Sequence, residues 1–142
     1  MRTQYEDYLR AVPVFSSCTP KELTAVAQLV ERLDVKPGDT LVREGTRTNE
    51  FFLILSGTAE VSRDGVAVAT LESGAHFGEL AVLDPAPRNA TVRMTSAGEV
   101  LVLSQREFYT LLRDVPGLAK QLLTGLAQRV HALDAQPAGA QR

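Results

Sequence analysis

A mainly β fold with flanking helices, an antiparallel β-barrel or jelly roll, is what this chain predicts, on three observations. Between Leu33 and Leu103, short runs rich in valine, leucine and phenylalanine alternate with glycine-bearing breaks at Pro37-Gly38-Asp39, Glu44-Gly45, Ser56-Gly57, Asp64-Gly65, Ser73-Gly74 and Ala97-Gly98. Strands bounded by turns at short, regular intervals are the mark of antiparallel barrels and sandwiches. On both sides of this stretch the apolar residues fall instead at helical spacing behind capping signals. No longer period repeats along the chain, which excludes a solenoid.

The elements follow in order. Tyr5, Tyr8, Leu9 and Val12 share one face of a short helix that stops before Pro13. Thr19-Pro20-Lys21-Glu22 is a helix start. Threonine caps, proline suits the first helical position, and the glutamate reaches back to complete a capping box. Leu23, Val26, Ala27 and Val30 then line one face, which predicts a helix over 20–32 with Phe15 packed beneath it. The barrel follows over 33–103. Within it, Asp64-Gly65 between the runs 59–62 and 66–69 is a two-residue hairpin signal. Ser104-Gln105-Arg106-Glu107 opens a second capped helix, with Phe108, Leu111 and Leu112 on one face. Pro116 restarts a longer helix to about Leu133, striped by Leu118, Leu122, Leu126, Val130 and Leu133. Gly125 weakens that helix by about 1 kcal/mol relative to alanine, or else serves to admit a partner helix at close range. The expected organisation is one domain over 1–134, with helices in 3–32 and 105–134, and a flexible tail over 135–142.

Composition narrows the function. The chain has 142 residues, 44% of them hydrophobic, enough for one domain with a real core. Its 15 basic and 17 acidic residues give a net charge of −2. No cationic field is present to attract nucleic acid, so direct DNA binding by this chain is not expected. The single cysteine, Cys18, rules out an internal disulfide and a cysteine-only metal site. It reads as a packing residue. There is no apolar leader and no apolar run of membrane-spanning length, so a cytoplasmic protein with no membrane contact is expected. His76 and His131 stand apart from any acid cluster and read as solvent or backbone contacts rather than metal ligands. No nucleophile–histidine–acid set or carboxylate pair is visible, so no enzyme and no cofactor is expected.

The chemistry concentrates in residues 77–92. Gly78 lets backbone approach a ligand without a Cβ in the way. Glu79 and Leu80-Ala81-Val82-Leu83 suit one or two helical turns before Pro85, and the first amides of such a helix face an anion. Arg88 comes after two prolines that end the helix, and its planar fork can hold two anion oxygens with bonds worth roughly 1.5–3 kcal/mol each. Glu79 cannot favour an anion, so its carboxylate serves a ligand hydroxyl or orients Arg88. Small Ala81 and Ala90 keep such a pocket open.

Phe77-Gly78-Glu79-Leu80-Ala81, then Arg88 and Ala90-Thr91-Val92, resembles the phosphate-binding cassette of the cyclic nucleotide-binding domain family. Pro37-Gly38, Glu44-Gly45, Phe51-Phe52-Leu53-Ile54 and Gly57 sit where that family places its barrel turns and strands, so the resemblance runs from about Tyr5 to Leu133. It implies that Glu79 binds the ribose 2′-OH and Arg88 the cyclic phosphate. The backbone amides of Leu80, Ala81 and Ala90 complete the phosphate shell, and Gly78 lies close to the ribose. It also implies apolar walls at Val61 and Leu71 and a lid formed by the C-terminal helix. Two positions depart from the family pattern. Asn89 follows the arginine where alanine, serine or threonine is usual, and can both donate and accept, toward either base or toward the phosphate. Thr48-Asn49-Glu50 replaces a common Gly-Asp turn, in a loop expected to touch no ligand contact. The ligand implied is cAMP, with cGMP as the alternative. The function implied is a stand-alone sensor that closes its C-terminal helix over the nucleotide. The competing readings are an interaction scaffold without a nucleotide, or the sensor part of a larger transcription regulator or enzyme. The leucine stripe then serves either as lid and core packing or as the seam of a homodimer, and an effector protein of unknown identity completes the partner list.

Overall fold

The computed structural model describes residues 9–10, 15–78 and 87–134, with 129–134 as backbone only. The expected helical face at Tyr5, Tyr8 and Val12 and the tail 135–142 lie outside the described residues. Leu9 and Arg10 are helical, and Leu9 is fully buried.

Helix α1 (Pro20–Leu29) starts on the expected capping box. The Thr19 hydroxyl accepts from the Glu22 amide at 3.1 Å, and the Thr19 amide donates to Glu22 Oε1 at 2.8 Å. Leu23 and Val26 are buried on its inner face, with Phe15 in the same cluster. The helix ends at Leu29, not at 32, and the strands begin at 31 rather than 33. Val30 is already extended, and Glu31–Val35 form β1, paired antiparallel with the last strand. Arg32 also forms an ion pair with Glu99 across that pairing. Long-range strand hydrogen bonds outweigh local helical periodicity at this point.

Eight strands follow: β1 (Glu31–Val35), β2 (Thr40–Val42), β3 (Phe51–Ser56), β4 (Ala59–Arg63), β5 (Val66–Leu71), β6 (His76–Phe77), β7 (Thr91–Met94) and β8 (Gly98–Leu103). They form two four-stranded sheets, ordered β1-β8-β3-β6 and β2-β7-β4-β5. All described pairings are antiparallel. The fold is therefore the jelly roll of the two expected forms, and among the described residues no ladder joins the sheets into a closed barrel. At the β4–β5 hairpin, Asp64 and Gly65 both have positive φ (51° and 79°), as a type I′ turn requires.

Strand β3 organises the core. Its residues Phe51 to Leu55 are all buried, so both faces are covered. Phe51, Leu53 and Leu55 point to the helices, where they join Phe15, Leu23 and Phe108. Phe52 and Ile54 point between the sheets, toward Val42, Ala59, Val92 and Met94. Each fully buried side chain of this kind is worth roughly 1.5–3 kcal/mol.

Two further helices close the outer face of the first sheet. Helix α2 (Gln105–Asp114) opens on the second expected capping box, with Ser104 and Glu107 exchanging bonds at 3.1 and 3.2 Å. Helix α3 (Pro116–Asp134) buries Leu118 and Leu122 from the leucine stripe. A Cβ at Gly125 would meet nothing within 4 Å among the described residues, whereas at Gly117 it would lie 3.1 Å from the Ser17 carbonyl oxygen. Among the described residues no helix is long and apolar enough to cross a membrane.

Candidate functional site

The site is built where β6, β7 and the loop before β3 meet. Phe77 of β6 pairs with Phe52 of β3, and their rings stack at 5.1 Å and 12°. This pairing delivers Gly78 against the end of the 43–50 loop. Gly78 has φ +96°, and a Cβ there would lie 2.4 Å from the Glu50 carbonyl oxygen and 3.1 Å from Arg88 Nη1. Only glycine meets both the backbone angle and the space.

Arg88 enters three residues before β7. Its main chain is tied to a turn of the same loop. The Arg88 amide donates to the Thr46 carbonyl at 2.8 Å, and the Gly45 amide donates to the Arg88 carbonyl at 2.7 Å. Its side chain is buried, with 7% of the residue exposed, and it is the one buried charged residue among those described. Nε donates to Thr48 Oγ1 at 3.0 Å and Nη2 to the Glu50 carbonyl at 2.8 Å. Burial lowers the guanidinium pKa, and the Glu50 carboxylate partly offsets this. Arginine nonetheless stays cationic at any physiological pH. Among the described residues the hydrogen-bond acceptors of this buried cation are neutral, and Glu50 compensates its desolvation cost only in part. An anion beside it removes much of that cost, so this arrangement favours anion capture.

Past Arg88, burial alternates. Asn89 is exposed and Ala90 is buried, in phase with Val92 and Met94 on the inner face of the second sheet. Val61 pairs with Val92, and Ala59 pairs with both Met94 and Leu71. Val61 and Leu71 therefore share the face of Ala90, and both are half-buried against the inter-sheet core. Ala69, opposite Val61, is exposed although that face points inward. The inter-sheet layer thus opens at its β4–β5 side, leaving an apolar ledge that continues from Ala90.

Of the residues singled out in the sequence, the structure brings Gly78 and Arg88 together and sets Ala90, Val61 and Leu71 on one face of the second sheet. Glu79, Leu80 and Ala81 lie outside the described residues. The loop Thr48-Asn49-Glu50, read as touching no ligand contact, instead holds the Arg88 guanidinium on two atoms. The only sequence signal for it was its departure from the family pattern just before the apolar run Phe51 to Leu55. His76, read as a solvent or backbone contact, is half-buried in β6 with its ring 5.6 Å from that of Phe51. The side chain of His131 is not among those described. Cys18 is a buried packing residue, and burial pushes its thiol pKa up to about 11.

Comparison with known proteins bears on the same residues. The family model described as cyclic nucleotide-binding domain matches residues 32–115. The cAMP-dependent protein kinase regulatory subunit of Hypocrea atroviridis is 38% identical over 120 residues, covering 84% of this chain and 26% of that protein. The chain spans about a quarter to a third of the length of the curated relatives it matches, 26% and 31% in two of them. Among solved structures, the Thermus thermophilus Catabolite Activator Protein aligns with a TM-score of 0.78 at 27% identity, over 86% of this chain and 60% of that one. CBD2 of PKAR bound to Sp-2Cl-cAMPS aligns with a TM-score of 0.74 at 27% identity, over 94% and 92% of the two chains. With the family model covering most of the jelly roll and α2, the chain belongs to the cyclic nucleotide-binding domain family.

Proposed function

We propose that this chain is a cyclic nucleotide sensor whose ligand is cAMP. The observation that carries the reading is Arg88: a cation buried beside Gly78 and answered only by neutral acceptors among the described residues. In this reading Arg88 takes the cyclic phosphate, with the amides of Leu80, Ala81 and Ala90, while Glu79 takes the ribose 2′-OH next to Gly78. Val61 and Leu71 wall the base, and Asn89 contacts it at the rim. The domain spans 1–134, the tail 135–142 takes no part, and α3 closes as a lid. The role is regulatory rather than catalytic and is placed in the cytoplasm. The kinship with cAMP-dependent regulatory subunits supports cAMP over cGMP.

Closure requires the nucleotide to bind the closed state more tightly than the open one. Titration calorimetry tests the site. Wild type is expected to bind cAMP more tightly than cGMP, and Arg88→Ala to weaken cAMP by at least about 100-fold, since two charge-assisted bonds of roughly 1.5–3 kcal/mol each are lost. Unchanged affinity in Arg88→Ala sinks the site. A nucleotide at about 100 times its Kd adds about 2.7 kcal/mol of stability, so the absence of any thermal shift with either nucleotide sinks the function.

Exposed Leu123 (66%) and Tyr109 (43%) on the C-terminal helices favour a second reading, in which these helices also dock a partner, either another copy or an effector protein. Light scattering with and without cAMP checks the homodimer.

A further inference from the structure

Thr48 to Phe51 is a short segment with contacts on two sides. Toward the site, the Thr48 hydroxyl accepts from Arg88 Nε and the Glu50 carbonyl accepts from Nη2, while Gly78 lies against Glu50 and Phe51. Away from the site, Asn49 Nδ2 donates to Gln105 Oε1 at 3.0 Å, at the first turn of α2. The Phe51 ring packs on Phe108 of the same helix at 4.9 Å. The segment is thus backed by the helical layer and cannot drift while it grips the guanidinium.

From this we infer that Thr48 is a positioning residue for the nucleotide phosphate, acting through Arg88. The inference rests on Arg88 being the phosphate ligand. A guanidinium is planar, so fixing Nε and Nη2 fixes the whole fork. Among the described residues nothing accepts from Nη1, which lies beside Gly78, so the fork presents that edge to the ligand. A hydroxyl and a carbonyl set this orientation without neutralising the cation. A carboxylate in the same place would share the positive charge that the phosphate needs. Orientation of this kind is preorganisation: the geometry is set before the ligand arrives, so less is lost on binding.

The test is cAMP calorimetry on four proteins: wild type, Thr48→Val, Thr48→Ser and Arg88→Lys, with the Thr48→Val/Arg88→Lys double variant closing a cycle. Thr48→Val removes the acceptor and keeps the β-branched shape. It is expected to weaken cAMP by about 10- to 100-fold, as loss of a bond to a charged group does. Thr48→Ser is expected within about threefold of wild type, because the hydroxyl is retained. In the Arg88→Lys background, which has no Nε, the Thr48→Val effect is expected to vanish, because coupled residues are non-additive. Additive effects mean a merely structural role for Thr48 and overturn the inference, as does wild-type affinity in Thr48→Val. Should Thr48→Val fail to fold, Thr48→Ala takes its place in the cycle with the same expectations. Absence of cAMP binding by wild type is a separate failure, and it strikes the reading of the site itself.

Discussion

Strand β3 has apolar layers on both sides, and they differ in how they end. The layer toward the helices is closed. Phe15, Phe51, Phe108, Leu111 and Val115 are each at most 2% exposed, and α1, α2 and α3 cover it. The layer between the sheets begins as tightly, with Ile54, Ala59 and Val100 fully buried. It then loosens through Val61 and Leu71 to exposed Ala69, and Arg88 stands at its border. One layer therefore holds the fold and the other holds the fold and offers a recess. The difference follows the topology: helices back β3 and β8 at the centre of the first sheet, whereas β5, at the edge of the second, is exposed from Val66 to Thr70.

Four substitutions probe this contrast, in order of expected effect. Phe108→Ala empties a closed layer and is expected to cost about 3–5 kcal/mol in urea unfolding. A cost near 1 kcal/mol would mean the helical layer can collapse or rewet, and the contrast would fail. Cys18 reports on the dryness of the same layer. Burial, then the charge of Glu22, raises its thiol from 9.0 to about 11, with Arg10 pulling the other way. The folded thiol holds its proton more tightly than the unfolded one. Its stabilising contribution is thus complete below the unfolded value of 9.0 and disappears as pH rises through about 11. Wild type is expected to lose about 2–3 kcal/mol over that window beyond what Cys18→Ala loses. Parallel pH profiles for the two proteins would show that the thiol is not shielded.

At the open layer the effects are smaller in stability and larger in binding. Gly78→Ala strains a positive φ and pushes on the Glu50 carbonyl, for an expected loss of about 1–3 kcal/mol. Its cAMP affinity should fall too, because the displaced carbonyl is the one that holds Arg88 Nη2. Retained affinity would separate the glycine from the fork. Val61→Ala is expected to cost only about 1 kcal/mol, since the side chain is half-buried, yet to weaken cAMP measurably in calorimetry. A stability loss as large as that of Phe108→Ala would show the ledge to be core rather than recess.

Much of this architecture is local and therefore legible along the chain. Both capping boxes span four residues, the Asp64-Gly65 turn is a dipeptide, and the restart of α3 is written in Pro116. Gly78 and Arg88 fall within one short stretch, so their juxtaposition was also open to a reading of spacing. The end of α1 was not, because it is decided by β1 pairing with β8, where Arg32 meets Glu99 at a separation of 67 residues. Nor was the close approach at Gly117, which depends on where Ser17 lies.

The amino-acid sequence by itself determined a mainly β antiparallel fold, the capped helices at either end and the stretch that carries the arginine, because each follows from periodicity or turn chemistry among neighbours; barrel or jelly roll was left to the strand pairing. Tertiary structure alone decided what grips that arginine. Thr48 lies 40 residues from Arg88, and a neutral hydroxyl carries no charge pattern that announces a partner so far along the chain. Only the pairing of β3 with β6, and the tie between Gly45-Thr46 and Arg88, bring the two within hydrogen-bonding distance.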